Sequence, residues 1–214
     1  MPSMFTLFLL GNIASGKSSA ARYLEQRGAL RIDLDELAKS LYVPGSPIVD
    51  DIAGTFGRDV LDEDGSIRRD ELARRAFDCP EHIRKLDNIV HPALLDRLSS
   101  LLLPPYCCSV TTPSHELAVV EVSAPQTFTE AFGLADEIMT IAVPRSQRRD
   151  RAALRGMTAD EFDHRADCQP DDAWLNEVSD VVIDNTGDLE DLHMQLDRWL
   201  SSHGLLQGSV DVHG

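Results

Sequence analysis

Gly11-Asn12-Ile13-Ala14-Ser15-Gly16-Lys17-Ser18 follows an apolar run at residues 5–10 and leads directly into a helical run at residues 18–26. It meets the pattern G-x-x-x-x-G-K-[ST] at every fixed position, with the strand before it and the helix after it that the pattern needs. The fixed glycines let successive backbone N–H groups curl around a phosphate, and the following helix turns its partly positive N-terminus to the same point. Lys17 supplies a mobile cation that can follow charge between β- and γ-phosphates, and the Ser18 hydroxyl is placed to ligate Mg²⁺. With glycine at about 7% of residues, a chance match arises roughly once in a hundred chains of this length, and the flanks make it rarer.

Further apolar, strand-like runs stand at residues 29–32, 117–122, 137–143 and 180–183, separated by stretches of helical periodicity. That alternation implies an α/β fold with a mainly parallel five-stranded sheet covered on both faces. Helical patterning at residues 69–77 and 81–103 fills the interval between the second and third strands. It exceeds a plain crossover and predicts a helical subdomain. Residues 101–116 are rich in breakers and read as a surface loop, and the tail at 205–214 has no periodic pattern and reads as frayed.

The chain has 214 residues, with a formal net charge of −16 and 43% hydrophobic residues. This is an ordinary globular composition, and the acid excess argues against nucleic acid as a partner. No apolar run reaches the roughly 18 residues of a membrane span, and the N-terminal segment lacks a basic leader, so a cytoplasmic location without membrane contact is expected. Cys79, Cys107, Cys108 and Cys168 show no metal-ligand spacing and read as free thiols. A phosphate loop alone leaves GTPases, ATP-driven machines and small-molecule kinases open; the N-K-x-D guanine-reading motif is absent.

Asp33 and Asp35 stand at the end of the second strand. In extended chain that spacing turns both carboxylates to one side at the C-terminal sheet edge, where open α/β sheets bind ligands. One carboxylate could take the proton of an acceptor hydroxyl while the other serves a metal. The competing reading makes Asp35 the N-cap of a helix starting at Glu36. Residues 145–155 carry five arginines, Arg145, Arg148, Arg149, Arg151 and Arg155, against Asp150. They suit a lid that neutralises a transferring phosphoryl group, or equally a solvated helical face. Residues 62–71 superficially suggest a calcium loop, but with Gly65 at its sixth position Val60 falls at the first, so a polar turn is the better account. His91-Pro92 reads as an acceptor contact or a turn ending a helix, and Asn185 as an adenine contact or a plain turn. Trp174 and Trp199 are expected to pack in a core or interface.

Residues 11–41, GNIASGKSSAARYLEQRGALRIDLDELAKSL, closely resemble the opening of the dephospho-CoA kinase family. The likeness runs over roughly residues 5–200 and takes in Gly57, Gly65, Arg69 and Leu72, then His91-Pro92, then Arg165, Gln169, Asp180, Asp184 and Asn185. The resemblance implies transfer of the ATP γ-phosphoryl group to the ribose 3′-hydroxyl of dephospho-CoA, the last step of coenzyme A biosynthesis. It implies a P-loop, nucleoside-monophosphate-kinase-like three-layer fold, with a core at 1–42, 116–143 and 171–204, a helical acceptor subdomain at about 43–115 and a lid at about 144–170. The single domain would end at residue 204 and act as a monomer or weak homo-oligomer. By position Asp35 is the base, Lys17 and Asp33 assist, and Ser18 and Asp33 hold Mg²⁺. ATP is expected on Gly11 through Ser18 with Arg149, Arg151, Arg155 and Asn185, and the acceptor on Asp35, Arg69, His91 and Pro92.

The chain departs from the family where Asn12 and Ala14 replace glycines, and where Ser123-Ala124-Pro125-Gln126-Thr127 replaces Pro-Leu-Leu-Phe-Glu. The lid arginines are offset by a residue or so, and Leu175 stands where lysine is common. A kinase for another hydroxyl acceptor and a non-catalytic nucleotide-binding paralogue are the alternatives.

Overall fold

A computed structural model describes residues 4–76, 78–102 and 115–206. In chain order the elements are β1 (Phe5–Leu10), α1 (Lys17–Gln26), β2 (Leu30–Asp33), α2 (Leu34–Ser40), α3 (Pro47–Phe56), α4 (Arg69–Ala76) and α5 (Pro80–Leu102). Then follow β3 (Leu117–Glu121), β4 (Glu137–Ala142), α6 (Arg145–Ala153), α7 (Ala159–Asp167), α8 (Asp172–Val178), β5 (Val181–Asp184) and α9 (Leu189–Ser202). They form two compact units, Met1–Leu34 with Tyr106–Gly214, and Asp35–Pro105.

The first unit is built on a sheet of order β2-β3-β1-β4-β5, and all four pairings are parallel. A parallel strand covered on both faces has no polar side, which is why β1 and β3 read as continuous apolar runs. Alternation still sorts their side chains. Leu7 and Leu9 join Ala20, Ala21 and Leu24 of α1 and Leu192, Leu196 and Trp199 of α9 in one core. Phe8, one residue out of phase, meets Phe132 edge-to-face at 6.3 Å. Because β1 lies centrally, the loop after it opens at the C-terminal edge beside β3 and β4, the usual ligand edge of such sheets.

The second unit is helical. Val49, Ile52 and Phe56 of α3, Leu72 and Ala76 of α4, and Val90, Leu94 and Leu98 of α5 are buried. Pro92 lies inside α5. The expected helix end at His91-Pro92 is therefore not observed. Proline costs one backbone hydrogen bond, but the stripe Val90, Leu94, Leu98, Leu102 is buried on both sides of it and keeps the helix running. Leu61 and Ile67 close a bridge around the Asp62–Ser66 turn, where Ser66 N donates to Asp64 Oδ1 at 3.0 Å, a polar turn as expected.

Three further expectations change. α5 runs through Leu101 and Leu102, so these two are helical and not loop; the rest of the expected loop up to residue 114 lies outside the described residues. Leu205 and Leu206 pack against the sheet core, and Leu206 N donates to Glu116 Oε2 at 3.1 Å, so the first tail residues are docked by their apolar side chains. β2 extends to Asp33 and α2 begins at the next residue, Leu34. Cys79 and Cys168 are free thiols; Cys107, Cys108, Phe77, Leu103 and residues 207–214 lie outside the described residues.

Arg75 ties α4 to α3, and an ion-pair network within α4 holds it in place. Arg75 Nη1 donates to Phe56 O at 2.5 Å, and Glu71 accepts from Arg74 Nη2 at 2.7 Å and from Arg75 Nε at 2.5 Å. The hydrogen bonds of Arg74 and Arg75 hold the Glu71 carboxyl down at about 2. A carboxylate depressed in the folded state stabilises fully above its unfolded value and loses that contribution as pH falls through the folded one. The stability difference between wild type and Glu71→Gln is therefore expected to be constant above the ordinary glutamate range and to shrink steadily towards pH about 2, which urea melts across that window will read.

Candidate active site

Gly11 and Gly16 occupy the left-handed half of backbone space, with φ of 151° and 99°. A Cβ on Gly11 would come within 2.5 Å of Ser15 Oγ, and one on Gly16 would collide with the Asn185 amide. Ala14 also has positive φ, 61°, which costs a residue with a Cβ about 1–2 kcal/mol. Ala14 and Ile13 pack against the buried Ala152, Phe162 and Ala166, and this packing holds the turn. Three hydrogen bonds staple the loop to residues outside it. Asn185 Nδ2 donates to Ser15 O at 2.7 Å, Ile13 N donates to Gln169 Oε1 at 2.7 Å, and Asn12 Nδ2 donates to Pro170 O at 3.0 Å. The Asn185 amide is thus turned to the loop backbone.

Lys17 and Ser18 begin α1 facing the end of β3. Lys17 Nζ donates to Val122 O at 2.8 Å and to Ser123 Oγ at 2.9 Å. Ser18 Oγ donates to Glu121 Oε2 at 2.8 Å. Glu121 is 3% exposed and pairs across the sheet with Asp33. Arg31, two residues before Asp33 on β2, grips Glu121 Oε1 through Nε and Nη2, both at 2.6 Å, and lies 3.9 Å from Asp33 Oδ2. Burial pulls the Arg31 pKa down, but the hydrogen bond and charge of Glu121 outweigh it and leave the pKa raised. A hydroxyl and two carboxylates form a hard-oxygen donor set of the kind Mg²⁺ takes together with water and phosphate oxygens. The described residues contain no group of three or more His, Cys, Asp or Glu of the kind that cages a metal unaided. These residues fit a Mg²⁺ that arrives with a nucleotide.

Asp35 lies in the first turn of α2. The extended-chain argument that put Asp33 and Asp35 on one side does not hold, because the helix begins between them; nor is Asp35 an N-cap. It is an exposed acid favoured by the positive helix end. In the helical unit Arg69 opens α4, and the His91 Nε2 on α5 faces Asp87 Oδ1 at 3.6 Å. Arg69 and Asp87 both act on the Tyr42 hydroxyl, whose pKa is raised by burial and then by Asp87 against the opposing pull of Arg69. Arg69 and Asp87, the partner of His91, thus both lie within electrostatic reach of the Tyr42 hydroxyl, and Pro92 follows His91 in the chain.

The arginine run is divided among different partners. Arg145 bonds Asp163 and Asp167, at 3.1 and 2.7 Å, and Arg149 bonds Asp163 at 2.8 Å, all between α6 and α7. Arg148 is buried. Arg151 Nη2 donates to Asn185 O at 2.8 Å. A hollow of about 280 Å³ opens beside the N-terminus of α1, lined by Gly16, Arg151, Leu154, Arg155, Asn185 and Leu189 among others.

Comparison with known proteins identifies the family. A family model described as dephospho-CoA kinase matches residues 5–191. The dephospho-CoA kinase of Corynebacterium diphtheriae is 35% identical over 181 residues, covering 84% of this chain and 87% of that one. This chain belongs to the dephospho-CoA kinase family. As a member it is a kinase that phosphorylates dephospho-CoA with ATP in coenzyme A biosynthesis. A Thermus thermophilus crystal structure superposes with a TM-score of 0.74 at 25% identity, covering 94% of this chain and 98% of that one. A shikimate kinase from Acinetobacter baumannii shares the fold, with a TM-score of 0.54 at 15% identity over 94% of this chain and 96% of that one.

Within this dephospho-CoA kinase, sequence reasoning missed Glu121, Arg31 and Tyr42. Glu121 carried a readable signal, an acid at the end of the otherwise apolar run Leu117–Val120. Its partners come from β2 and α1, distant in sequence. Removing one member of a buried ion pair strands the other charge, whereas removing both does not. Arg31→Leu is expected to lower unfolding free energy by about 2–3 kcal/mol, and Arg31→Leu with Glu121→Leu to recover more than half of that loss, read by urea denaturation.

Proposed function

We propose that the protein transfers the γ-phosphoryl group of ATP to the ribose 3′-hydroxyl of dephospho-CoA, releasing CoA and ADP, with Mg²⁺ accompanying the nucleotide. The observation that carries this reading is the meeting of the left-handed loop, the Lys17 ammonium and the Ser18 hydroxyl at the C-terminal end of β3. Gly11 through Gly16 supply backbone N–H groups to the β-phosphate. Lys17 exchanges Val122 O and Ser123 Oγ for β- and γ-phosphate oxygens. Ser18 and Asp33 would hold Mg²⁺, with Glu121 fixing the hydroxyl; when bound, the ion neutralises charge between the β- and γ-phosphates.

Asp35 takes the proton of the 3′-hydroxyl. The oxygen forms its bond to the γ-phosphorus as the bond to the β,γ-bridging oxygen breaks, ADP leaves with that electron pair, and Asp35 passes its proton to water. The hollow lined by Arg151, Leu154, Arg155 and Asn185 takes the adenine end of ATP, with Leu154, Leu189 and Leu192 covering a flat ring. The helices α6 and α7 act as the lid, with Arg149, Arg151 and Arg155 turned to phosphate on closure. Arg69, His91 and Pro92 of the helical unit hold the acceptor, where Arg69 meets its phosphate charge.

ADP release over a panel of hydroxyl acceptors, with phosphorus NMR of the product, tests this directly. Turnover with another acceptor and none with dephospho-CoA would overturn the acceptor assignment. Loss of a general base costs about 10²–10⁴-fold, so Asp35→Asn is expected to lower kcat into that range while ATP affinity stays within about twofold. Ordinary turnover in that variant excludes Asp35 as the base.

A further inference from the structure

Asp172 Oδ1 is an acceptor shared by two groups that no local motif brings together. Asn12 Nδ2 reaches it from the phosphate loop at 3.2 Å, and Arg148 Nη2 reaches it from α6 at 3.3 Å. Asn12 is 7% exposed and also donates to Pro170 O. The Arg148 side chain is 5% exposed, and its Nε donates to Val143 O at 3.0 Å. Val143 and Arg148 flank the entry of the chain into the α6–α7 arm; Pro170 and Asp172 flank its exit into α8. One cluster therefore ties the stem going out, the stem coming back and the phosphate loop. Gln169, on the returning stem, adds a fourth tie through Ile13 N.

A guanidinium buried so deeply is held for a reason. Burial lowers the Arg148 pKa, and Asp172 is the charge that opposes this. Its Nη1 has no hydrogen-bond partner among the described residues, and Arg148 lines, with Asn12, Ser15, Thr140, Leu175 and Asn176 among others, a cavity of about 10 Å³, room for about one water molecule. Replacing such a group by an apolar one would remove a costly desolvation. What would be lost is the joint between the arm and the loop.

We propose that Asn12, Arg148 and Asp172 form a clasp that positions the phosphate loop against both stems of the α6–α7 arm, so that binding ATP and ordering the arm are one coupled event. The three are positioning residues, since each acts on the nucleotide through the loop or the arm. The ATP half of the statement rests on the phosphate loop holding ATP, as proposed above. The clasp itself consists of hydrogen bonds among the protein's own residues.

Asn12→Ala, Asp172→Ala and the double variant test it by two readouts. Asp172 is largely exposed and Asn12 is a loop residue, so these variants keep the core, and Asp172→Asn, which retains the acceptor oxygen, serves as the conservative control. In ligand-free protein, Asn12→Ala is expected to speed amide hydrogen exchange across residues 145–167 about tenfold while β1 and β3 stay unchanged, although the Asn12 amide donates to Pro170 and Asp172, outside that range. In calorimetry, each single variant is expected to weaken ATP binding about tenfold and the double no more than about twofold further, because the interaction is shared. The KM for dephospho-CoA is expected to stay within about twofold, and Asp172→Asn to restore most of the ATP affinity. Additive losses, faster exchange spread over the whole sheet, or an unchanged arm in Asn12→Ala would overturn the clasp. Wild-type protein that fails to bind ATP would overturn the kinase reading instead, and the ligand-free exchange would still decide the clasp.

Discussion

A buried carboxylate at the end of β3 sets the rest of the site. Glu121 is inside the protein, and an ionised carboxyl there is tolerated only if its oxygens are occupied by strong donors. Arg31 fills one oxygen from β2 and Ser18 the other from the first turn of α1. That demand fixes three elements at once: the register of β2 on β3, the rotation of α1 about its axis, and the direction of the hydroxyl that suits a metal. Because α1 is fixed, Lys17 is carried to the same strand end, and the loop between β1 and α1 has only its glycine-dependent left-handed path to follow.

A formal net charge of −16 opposes polyanions at long range, so a site for ATP needs locally placed positive charge. The structure refines the place of the compensating charge. Of the five arginines at 145–155, Arg145 and Arg149 are neutralised by aspartates of α7, Arg148 is buried on Asp172, and Arg151 binds the backbone after β5. Positive charge in this arm therefore serves first to hold the arm together and to root it. Long side chains on an exposed helix reach nearby carboxylates, and a count of cations along a sequence cannot see those partners.

Much of this was legible beforehand. The five strands, the phosphate loop and the helical insertion follow from hydrophobic period and from glycine spacing, both properties of neighbouring residues. Expectations failed where a neighbour was asked to stand for a fold. The pair Asp33 and Asp35 was assigned one side on extended geometry, yet the helix starts at Leu34 because its buried side chain is already needed in the core. Of the two readings of His91-Pro92, the helix-ending turn fails, because the buried stripe on either side of Pro92 keeps α5 running. Asn12, a plain loop substitution in sequence terms, is a buried joint to residues 170–172.

The chain order of residues 11–18 dictated phosphate chemistry, since the backbone angles of two glycines and the charge of the following lysine act within a few bonds of one another. The same order could not say that Glu121 would hold Ser18, that Asn185 would turn to the loop, or which arginines would be neutralised. Those pairings join residues from 14 to 170 positions apart; they form because helix packing and parallel strands with crossover helices bring separate chain segments together, and each polar group takes whichever partner folding places within reach.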